Sequence, residues 1–296
     1  MVPSETWQTQ NLAAIHARLA PLVALPDGTI HEERSPLHQI RLIKHLGQIH
    51  FYFVDAQSGE LVGPMSRIAL DRPLHLLAEY TQSAMLALLW RREIARACVL
   101  GLAGGRLSLL LHHHVQHVVI DNVDIDAASA PLAERFFGLA FDARQRFVAA
   151  DARAFLEASE STYDIIVLDA FSDHSDELDH LATQEFYQLC RERLARGGVF
   201  CANLLTSDPR FLVKSKTLLE NFRFVYAAEH KRGVMLLGND QRRLAPAEIA
   251  RSALLLQKQH TFDFPFVERA AELRPARELP VFRTSQLRNV AILRDA

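Results

Sequence analysis

The stretch that decides the fold is Val99-Leu100-Gly101-Leu102-Ala103-Gly104-Gly105. An apolar run typical of a buried strand leads directly into glycines, and a helical pattern follows over residues 105–114. Glycine at a strand end lets the backbone turn sharply and approach a ligand closely, while the N-terminus of the next helix favours negative or polar groups. Alone, this turn fits an ordinary strand-to-helix connection as well as it fits a binding loop.

The same strand–helix rhythm continues along the chain. Strands are predicted at residues 97–102, 117–124, 146–150, 163–169, 198–205, 222–228 and 233–237. Helices are predicted between most of them, at residues 105–114, 127–138, 152–159, 181–195 and 209–220. This alternation predicts an α/β fold with a doubly wound, mainly parallel, seven-stranded Rossmann-like sheet that ends in an antiparallel hairpin.

The residues before this region follow a different pattern. An amphipathic helix is predicted at residues 4–20, a small antiparallel sheet of two to four strands at 36–70, and a helix at 73–92. We therefore expect a boundary near residue 95. Residues 1–94 would hold the N-terminal helix, the small β element and the linking helix, and residues 95–296 the Rossmann-like domain with C-terminal helices.

Three of the predicted parallel strands end in an aspartate, namely Asp124, Asp151 and Asp169. The carboxyl ends of such strands meet at one edge, and ligands bind there where the strand order reverses. Asp124 follows Gly101 by 23 residues, close to the spacing at which a carboxylate reaches ribose hydroxyls. A single aspartate, Asp151 above all, also fits a helix N-cap. Three carboxylates together would repel one another without a hydroxyl-, amino- or sulfonium-bearing ligand, so the pattern predicts a cofactor site.

On these residues, the segment 99–205 resembles the catalytic domain of the spermidine synthase family, within the class I S-adenosylmethionine-dependent methyltransferase fold. Besides the glycine loop, the matching segments are Val123-Asp124-Ile125-Asp126, Ala150-Asp151-Ala152, Tyr163-Asp164-Ile165-Ile166-Val167-Leu168-Asp169-Ala170-Phe171, His180-Leu181-Ala182-Thr183-Gln184-Glu185-Phe186-Tyr187 and Leu194-Ala195-Arg196-Gly197-Gly198-Val199-Phe200. The resemblance implies a transferase of polyamine biosynthesis that moves an aminopropyl group to an amine. Its cofactor would be S-adenosylmethionine or decarboxylated S-adenosylmethionine, with methylthioadenosine or S-adenosylhomocysteine as the product and no metal.

The resemblance also implies roles for single residues. Asp124 would accept hydrogen bonds from the ribose, Asp151 would contact the adenine amino group, and Asp169 would lie beside the sulfonium and the attacking amine. Tyr80, in Tyr80-Thr81-Gln82, matches the tyrosine of a Tyr-His-Glu substrate motif, although a core aromatic residue is the alternative. The catalytic candidates are Asp169 and Tyr80. The cofactor-binding candidates are Gly101, Ala103, Gly104, Gly105, Arg106, Asp124, Ile125, Asp151, Ala152 and Asp169.

Two departures from the family pattern leave alternatives open. Arg106 stands where the family's glycine loop carries an aspartate that binds the amino end of decarboxylated S-adenosylmethionine, and it would suit the carboxylate of intact S-adenosylmethionine if it points inward. Thr81 and Gln82 replace the histidine and glutamate of the substrate motif. The alternatives are a methyltransferase and a non-catalytic nucleoside-binding relative. A nicotinamide enzyme is disfavoured because the loop is not GxGxxG.

Composition excludes other classes. A net charge of −2 argues against a nucleic-acid binder, and the partner we expect is a small molecule such as a polyamine, with a homodimer as a further option. No apolar run reaches membrane-spanning length, no signal peptide is visible, and the three cysteines form no CxxC, so we expect a cytoplasmic protein.

Consecutive histidines at 112–114 point in different directions on a helix, which disfavours a metal site. The carboxylate-rich loop 173–180 fits either a gate over the substrate or a helix cap.

Overall fold

The fold begins with an amphipathic helix that covers a small sheet. The computed structural model describes residues 6–91, 93–171 and 178–295. Helix α1 (Trp7–Val23) starts at its N-cap Thr6, whose hydroxyl accepts a hydrogen bond from the amide of Thr9. Its buried face includes Ile15 and Leu19, as the apolar spacing predicts.

The small sheet has four antiparallel strands that pair in chain order. They are β1 (Gly28–Arg34), β2 (Gln39–His45), β3 (Gln48–Val54) and β4 (Leu61–Ala69). The side chains of Ile40, Ile49 and Ile68 are fully buried on the face that packs against α1. The prediction of two to four strands is confirmed, but it missed β1, because this strand has only one large apolar residue, Ile30.

The segment after the small sheet is not the single helix that its apolar spacing predicts. Helix α2 (Glu79–Ala84) is short and runs into a 3₁₀ turn at Met85–Leu89, and no helix precedes it in residues 70–78. The carbonyl of Leu76 accepts instead from the side chain of Gln82 at 2.7 Å. Residues 73–92 therefore divide into separate pieces, with residue 92 outside the described part.

The large sheet contains the seven predicted strands and one further short pairing. Its strands are β5 (Arg96–Leu100), β6 (Val119–Asp124), β7 (Gln145–Ala149), β8 (Tyr163–Leu168), β9 (Leu194–Leu205), β10 (Phe224–His230), β11 (Gly233–Asn239) and β12 (Arg274–Pro275). They lie in the order β12-β10-β11-β9-β8-β5-β6-β7. Strands β5 to β9 are parallel, and β10 and β11 form the predicted antiparallel hairpin.

Helices cover both faces of this sheet. They are α3 (Arg106–His114), α4 (Ser129–Phe137), α5 (Ala152–Ala158), α6 (Gln184–Glu192), α7 (Phe211–Asn221), α8 (Pro246–His260), α9 (Phe266–Ala271) and α10 (Thr284–Leu287). Two apolar clusters result, one on each face. Strand β5 lies between β6 and β8, so the strand order reverses beside its carboxyl end. A ligand site is expected at such a point.

Candidate functional site

A cavity of about 730 Å³ lies at the carboxyl edge of the parallel strands. The small sheet contributes one wall through β4, and the segment around Tyr80 contributes another. Of the residues predicted from the sequence, those that line this cavity are Tyr80, Gly101, Ala103, Gly105, Arg106, Asp124, Ile125, Asp151, Ala152 and Asp169. The structure therefore brings together nearly the whole predicted set in one cavity.

Gly104 is the exception among the predicted cofactor-binding residues, and its contact with a cofactor stays a prediction. It is not among the residues that line the cavity. Its amide donates to the hydroxyl of Ser66 at 3.2 Å, and a Cβ at this position would lie 2.7 Å from the ring of Phe137. Gly104 therefore serves the close packing of the loop against the small sheet and α4.

The glycine loop needs Gly101 for a steric reason. This residue has a φ of +98°, and a Cβ built on it would lie 2.5 Å from the carbonyl oxygen of Asp169. Its amide donates to the carbonyl of Val123 at 2.8 Å. The loop from β5 and the end of β8 thus touch backbone to backbone, which only glycine allows.

Asp124 fixes the glycine loop and also faces the cavity. Its Oδ2 accepts from the amides of Leu102, at 2.8 Å, and Ala103, at 3.4 Å. Its Oδ1 accepts from the amide of Asp126 at 2.8 Å. A carboxylate has about four acceptor positions, so capacity for one further donor remains. The neighbouring Ile125 is 57% exposed and gives the cavity an apolar surface.

Asp151 caps helix α5, which is the alternative that the sequence left open. Its Oδ1 accepts from the amides of Arg153 and Ala154, at 2.9 and 3.0 Å. Its Oδ2 lies 2.9 Å from Nε2 of His180. Burial alone would raise the pKa of Asp151, but these amides and the His180 ring outweigh it, and the pKa is lowered. Asp151 therefore stays ionised at the edge of the cavity.

Asp169 stands apart from the other two carboxylates. Burial raises the pKa of Asp169 to about 7, although hydrogen bonds from Asn203 and Tyr80 act in the opposite direction. The amide nitrogen Nδ2 of Asn203 donates to Oδ1 of Asp169 at 3.1 Å. The Tyr80 hydroxyl also bonds to Asp169, and burial together with the charge of Asp169 raises the pKa of Tyr80 well above its ordinary value. Tyr80 therefore lines the cavity with its hydroxyl bonded to Asp169.

His230 completes this hydrogen-bonded group. Its Nε2 lies 3.1 Å from Oδ1 of Asn203. Burial lowers the pKa of His230 to about 4, so the ring is neutral near pH 7 and its Nε2 carries the proton that Asn203 accepts. Sequence reasoning missed both residues. Asn203 could have been predicted from the sequence, because it lies near the end of β9, a predicted parallel strand that pairs with β8 and ends at the same edge of the sheet.

The cavity also contains basic side chains, among them Arg67, Arg106, Lys231 and Arg232. Arg106 is 5% exposed, and its Nη2 donates to the carbonyls of Pro73 and, at 3.3 Å, His75. Burial lowers the pKa of Arg106 to about 9. Arg106 is among the residues that line the cavity.

The remaining sequence candidates lie elsewhere. His112 pairs with Asp142 at 3.0 Å, and His113 contacts Asn11 at 3.1 Å. No group of metal-binding side chains was found in the described residues. Most of the acidic loop, residues 172–177, lies outside the described part, while Asp179 pairs with Lys214 at 3.0 Å. None of the helices in the described ranges is both long and apolar enough to cross a membrane.

Residues 95–214 match the family profile of the spermine/spermidine synthase domain. Gly101, Asp124, Asp151, Asp169 and Asn203 all belong to the matched range. Tyr80 and His230 also line the cavity but lie outside the matched range.

Curated relatives support the resemblance inferred from the sequence. The chain is 27% identical over 249 residues to a polyamine aminopropyltransferase of Vibrio vulnificus, with 80% of this chain and 82% of that protein covered. It is 28% identical over 158 residues to a polyamine aminopropyltransferase of Chromobacterium violaceum, with 53% of this chain and 60% of that protein covered. The second match spans less than two thirds of its relative.

Solved structures confirm the fold. A probable spermidine synthase from Corynebacterium glutamicum superimposes with a TM-score of 0.67 at 19% identity, over 92% of this chain and 98% of that chain. Human methyltransferase-like protein 13, in complex with S-adenosylhomocysteine (SAH), superimposes with a TM-score of 0.56 at 24% identity, over 62% of this chain and 92% of that chain. These superpositions confirm an α/β fold with an N-terminal antiparallel sheet and a mainly parallel Rossmann-like sheet.

Proposed function

We propose that this protein transfers an aminopropyl-type group from a sulfonium nucleoside to an amine and releases methylthioadenosine. The observation that carries the proposal is Asp169, a carboxylate with a pKa of about 7 that Tyr80 and Asn203 orient inside the cavity. The synthase domain and the polyamine aminopropyltransferases among the relatives support the same reaction.

The side of the cavity near β6 and β7 suits the nucleoside part of the donor. Asp124 retains acceptor capacity for a ribose hydroxyl. Ile125 offers an apolar surface on which an adenine ring can pack, and Asp151 and Ala152 follow β7 at the same edge. We therefore propose that these residues hold the adenosine and direct the sulfonium toward Asp169.

The chemistry requires a neutral amine, because a protonated amine has no electron pair with which to attack. A base with a pKa of about 7 can accept that proton near neutral pH, and Asp169 is such a base. In the transfer, nitrogen forms a bond to the carbon beside sulfur, and the carbon–sulfur electron pair moves to sulfur, which leaves as a neutral thioether. The Tyr80 hydroxyl and the Asn203 amide fix the carboxylate, so alignment is the main contribution of the protein.

Methyl transfer is the second candidate. The superposition with a methyltransferase-like protein in complex with SAH favours it, because that protein shares the Rossmann-like sheet. A non-catalytic nucleoside-binding relative is disfavoured by Asp169, since a carboxylate with a raised pKa in a cavity is typical of a catalytic site.

Four expectations from the sequence stay predictions: the cytoplasmic location, the homodimer, the exclusion of nucleic acid and membrane, and the domain boundary near residue 95.

The test is release of methylthioadenosine from S-adenosylmethionine or its decarboxylated form in the presence of an amine panel that includes diamines. We expect release by the wild type and a loss of roughly 100-fold or more in Asp169→Asn, which keeps the shape but cannot accept the proton. Circular dichroism and methylthioadenosine binding of the variant serve as controls for folding. Equal rates in the folded variant and the wild type would contradict the proposed role of Asp169.

A further inference from the structure

Arg106 is a buried cation with unused hydrogen-bond donors. It begins helix α3, directly after Gly105, and is 5% exposed. Only Nη2 has described partners, the carbonyls of Pro73 and His75. Within the described residues, Nε and Nη1 are buried and have no hydrogen-bond partner. Three N–H bonds, one on Nε and two on Nη1, are thus left without an acceptor.

No carboxylate in the described part of the chain compensates the charge of Arg106. Burial is the one cause that shifts its pKa, downward to about 9, and no acidic side chain raises it. At that pKa the guanidinium is still charged at neutral pH. An uncompensated buried charge is strongly unfavourable, whereas a carboxylate ligand in the adjoining cavity would supply the opposite charge.

The position of Arg106 indicates which part of a ligand would meet it. It lines the cavity between the glycine loop and the segment that leads to Tyr80. The adenosine side of the cavity, by contrast, is formed by Ile125, Asp151 and Ala152, which follow β6 and β7. Arg106 directly follows Gly105 at the start of α3 and therefore belongs to the glycine-loop side of the cavity.

We infer that Arg106 binds the α-carboxylate of the donor, so that the donor is S-adenosylmethionine itself. This inference rests on the proposed function and narrows its substrate class. The attacking nitrogen then forms its bond to the methylene carbon beside sulfur, the carbon–sulfur bond breaks, and methylthioadenosine leaves as the neutral thioether. The transferred group is 3-amino-3-carboxypropyl, and the nitrogen releases one proton, which Asp169 accepts.

Isothermal titration with three nucleosides tests the inference. Methylthioadenosine has neither the amine nor the carboxylate, decarboxylated S-adenosylmethionine has the amine alone, and S-adenosylmethionine has both. We expect the wild type to bind S-adenosylmethionine at least about 10-fold more tightly than the decarboxylated form. Arg106→Gln should weaken S-adenosylmethionine roughly 10- to 100-fold and leave methylthioadenosine within about 3-fold.

Arg232→Gln is the matched control, because Arg232 also lines the cavity but is exposed. It should leave the order of the three affinities unchanged. A wild type that binds the decarboxylated form as tightly or more tightly overturns the inference, and so does an equal loss of all three ligands in Arg106→Gln. The wild-type comparison decides the matter even if the variant does not fold.

The same titrations separate this inference from the proposed function. Tight binding and turnover of the decarboxylated donor would leave alkyl transfer standing and remove only the role of Arg106. Failure of the wild type to bind any of the three nucleosides would contradict the proposed function itself. The mass of the product gives a second readout, because a 3-amino-3-carboxypropyl product is heavier than an aminopropyl product by one carbon dioxide unit.

Discussion

Removal of the Tyr80 hydroxyl should move the pH dependence of the reaction upward. The pKa of Asp169 is about 7 because burial raises it against the lowering effect of hydrogen bonds from Asn203 and Tyr80. A hydrogen bond to a charged group stabilises that group by about 1.5–3 kcal/mol. Loss of one such bond in Tyr80→Phe favours the protonated acid and should bring the pKa of Asp169 to roughly 8–9.

The assay is kcat/KM for methylthioadenosine release as a function of pH, with one donor and one amine throughout. For the wild type we expect the acidic limb to reach half of its maximum near the Asp169 pKa of about 7. For Tyr80→Phe the limb should lie 1–2 pH units higher, in line with the roughly 8–9 expected for Asp169. Tyr52→Phe is the control, because Tyr52 lies on β3 and is not part of the cavity wall. An unchanged acidic limb in folded Tyr80→Phe would show that the Tyr80 hydroxyl does not lower the pKa of Asp169.

Three further substitutions test the site. The pKa of Asp169 is raised in the folded protein, so the stability that this residue contributes is present below pH 4 and is lost as the pH rises through about 7. Asp169→Asn should therefore raise the melting temperature at about pH 8, where the buried carboxylate is charged, and leave it unchanged at about pH 3.5, where the carboxyl group is neutral. Gly101→Ala should lower both the melting temperature and methylthioadenosine affinity, because its Cβ would lie 2.5 Å from the Asp169 carbonyl; wild-type values would disprove the contact. Asp124→Ala should weaken nucleoside binding by roughly 2–4 kcal/mol in calorimetry, with exposed Asp71→Ala as a silent control.

The convergence of Asp124, Asp151 and Asp169 could be predicted from the sequence because it follows from topology alone. Each aspartate ends a strand of a parallel sheet, and such strands deliver their last residues to one edge. The sequence could not apportion their roles, however. That Asp151 caps α5 while Asp169 has its pKa raised depends on hydrogen bonds and burial that the strand pattern does not encode.

The positions of Tyr80 and His230 in the site could not be predicted from the local sequence pattern. The apolar spacing around Tyr80 indicated a longer helix, and the actual break depends on contacts with distant side chains such as Arg106. His230 ends β10, and it reaches Asn203 only because the hairpin folds back beside β9. Both contacts join residues far apart in the chain, which hydrophobic periodicity cannot indicate.

The proposed reaction breaks the bond between sulfur and the propyl chain rather than the bond between sulfur and the methyl group. The most direct measurement uses a donor labelled with carbon-13 in its S-methyl group and follows the label by mass spectrometry after turnover with an amine. We expect the label to stay with the nucleoside, in methylthioadenosine, and the amine product to be unlabelled. Label in the amine product, with unlabelled S-adenosylhomocysteine as the nucleoside, would contradict the proposed reaction.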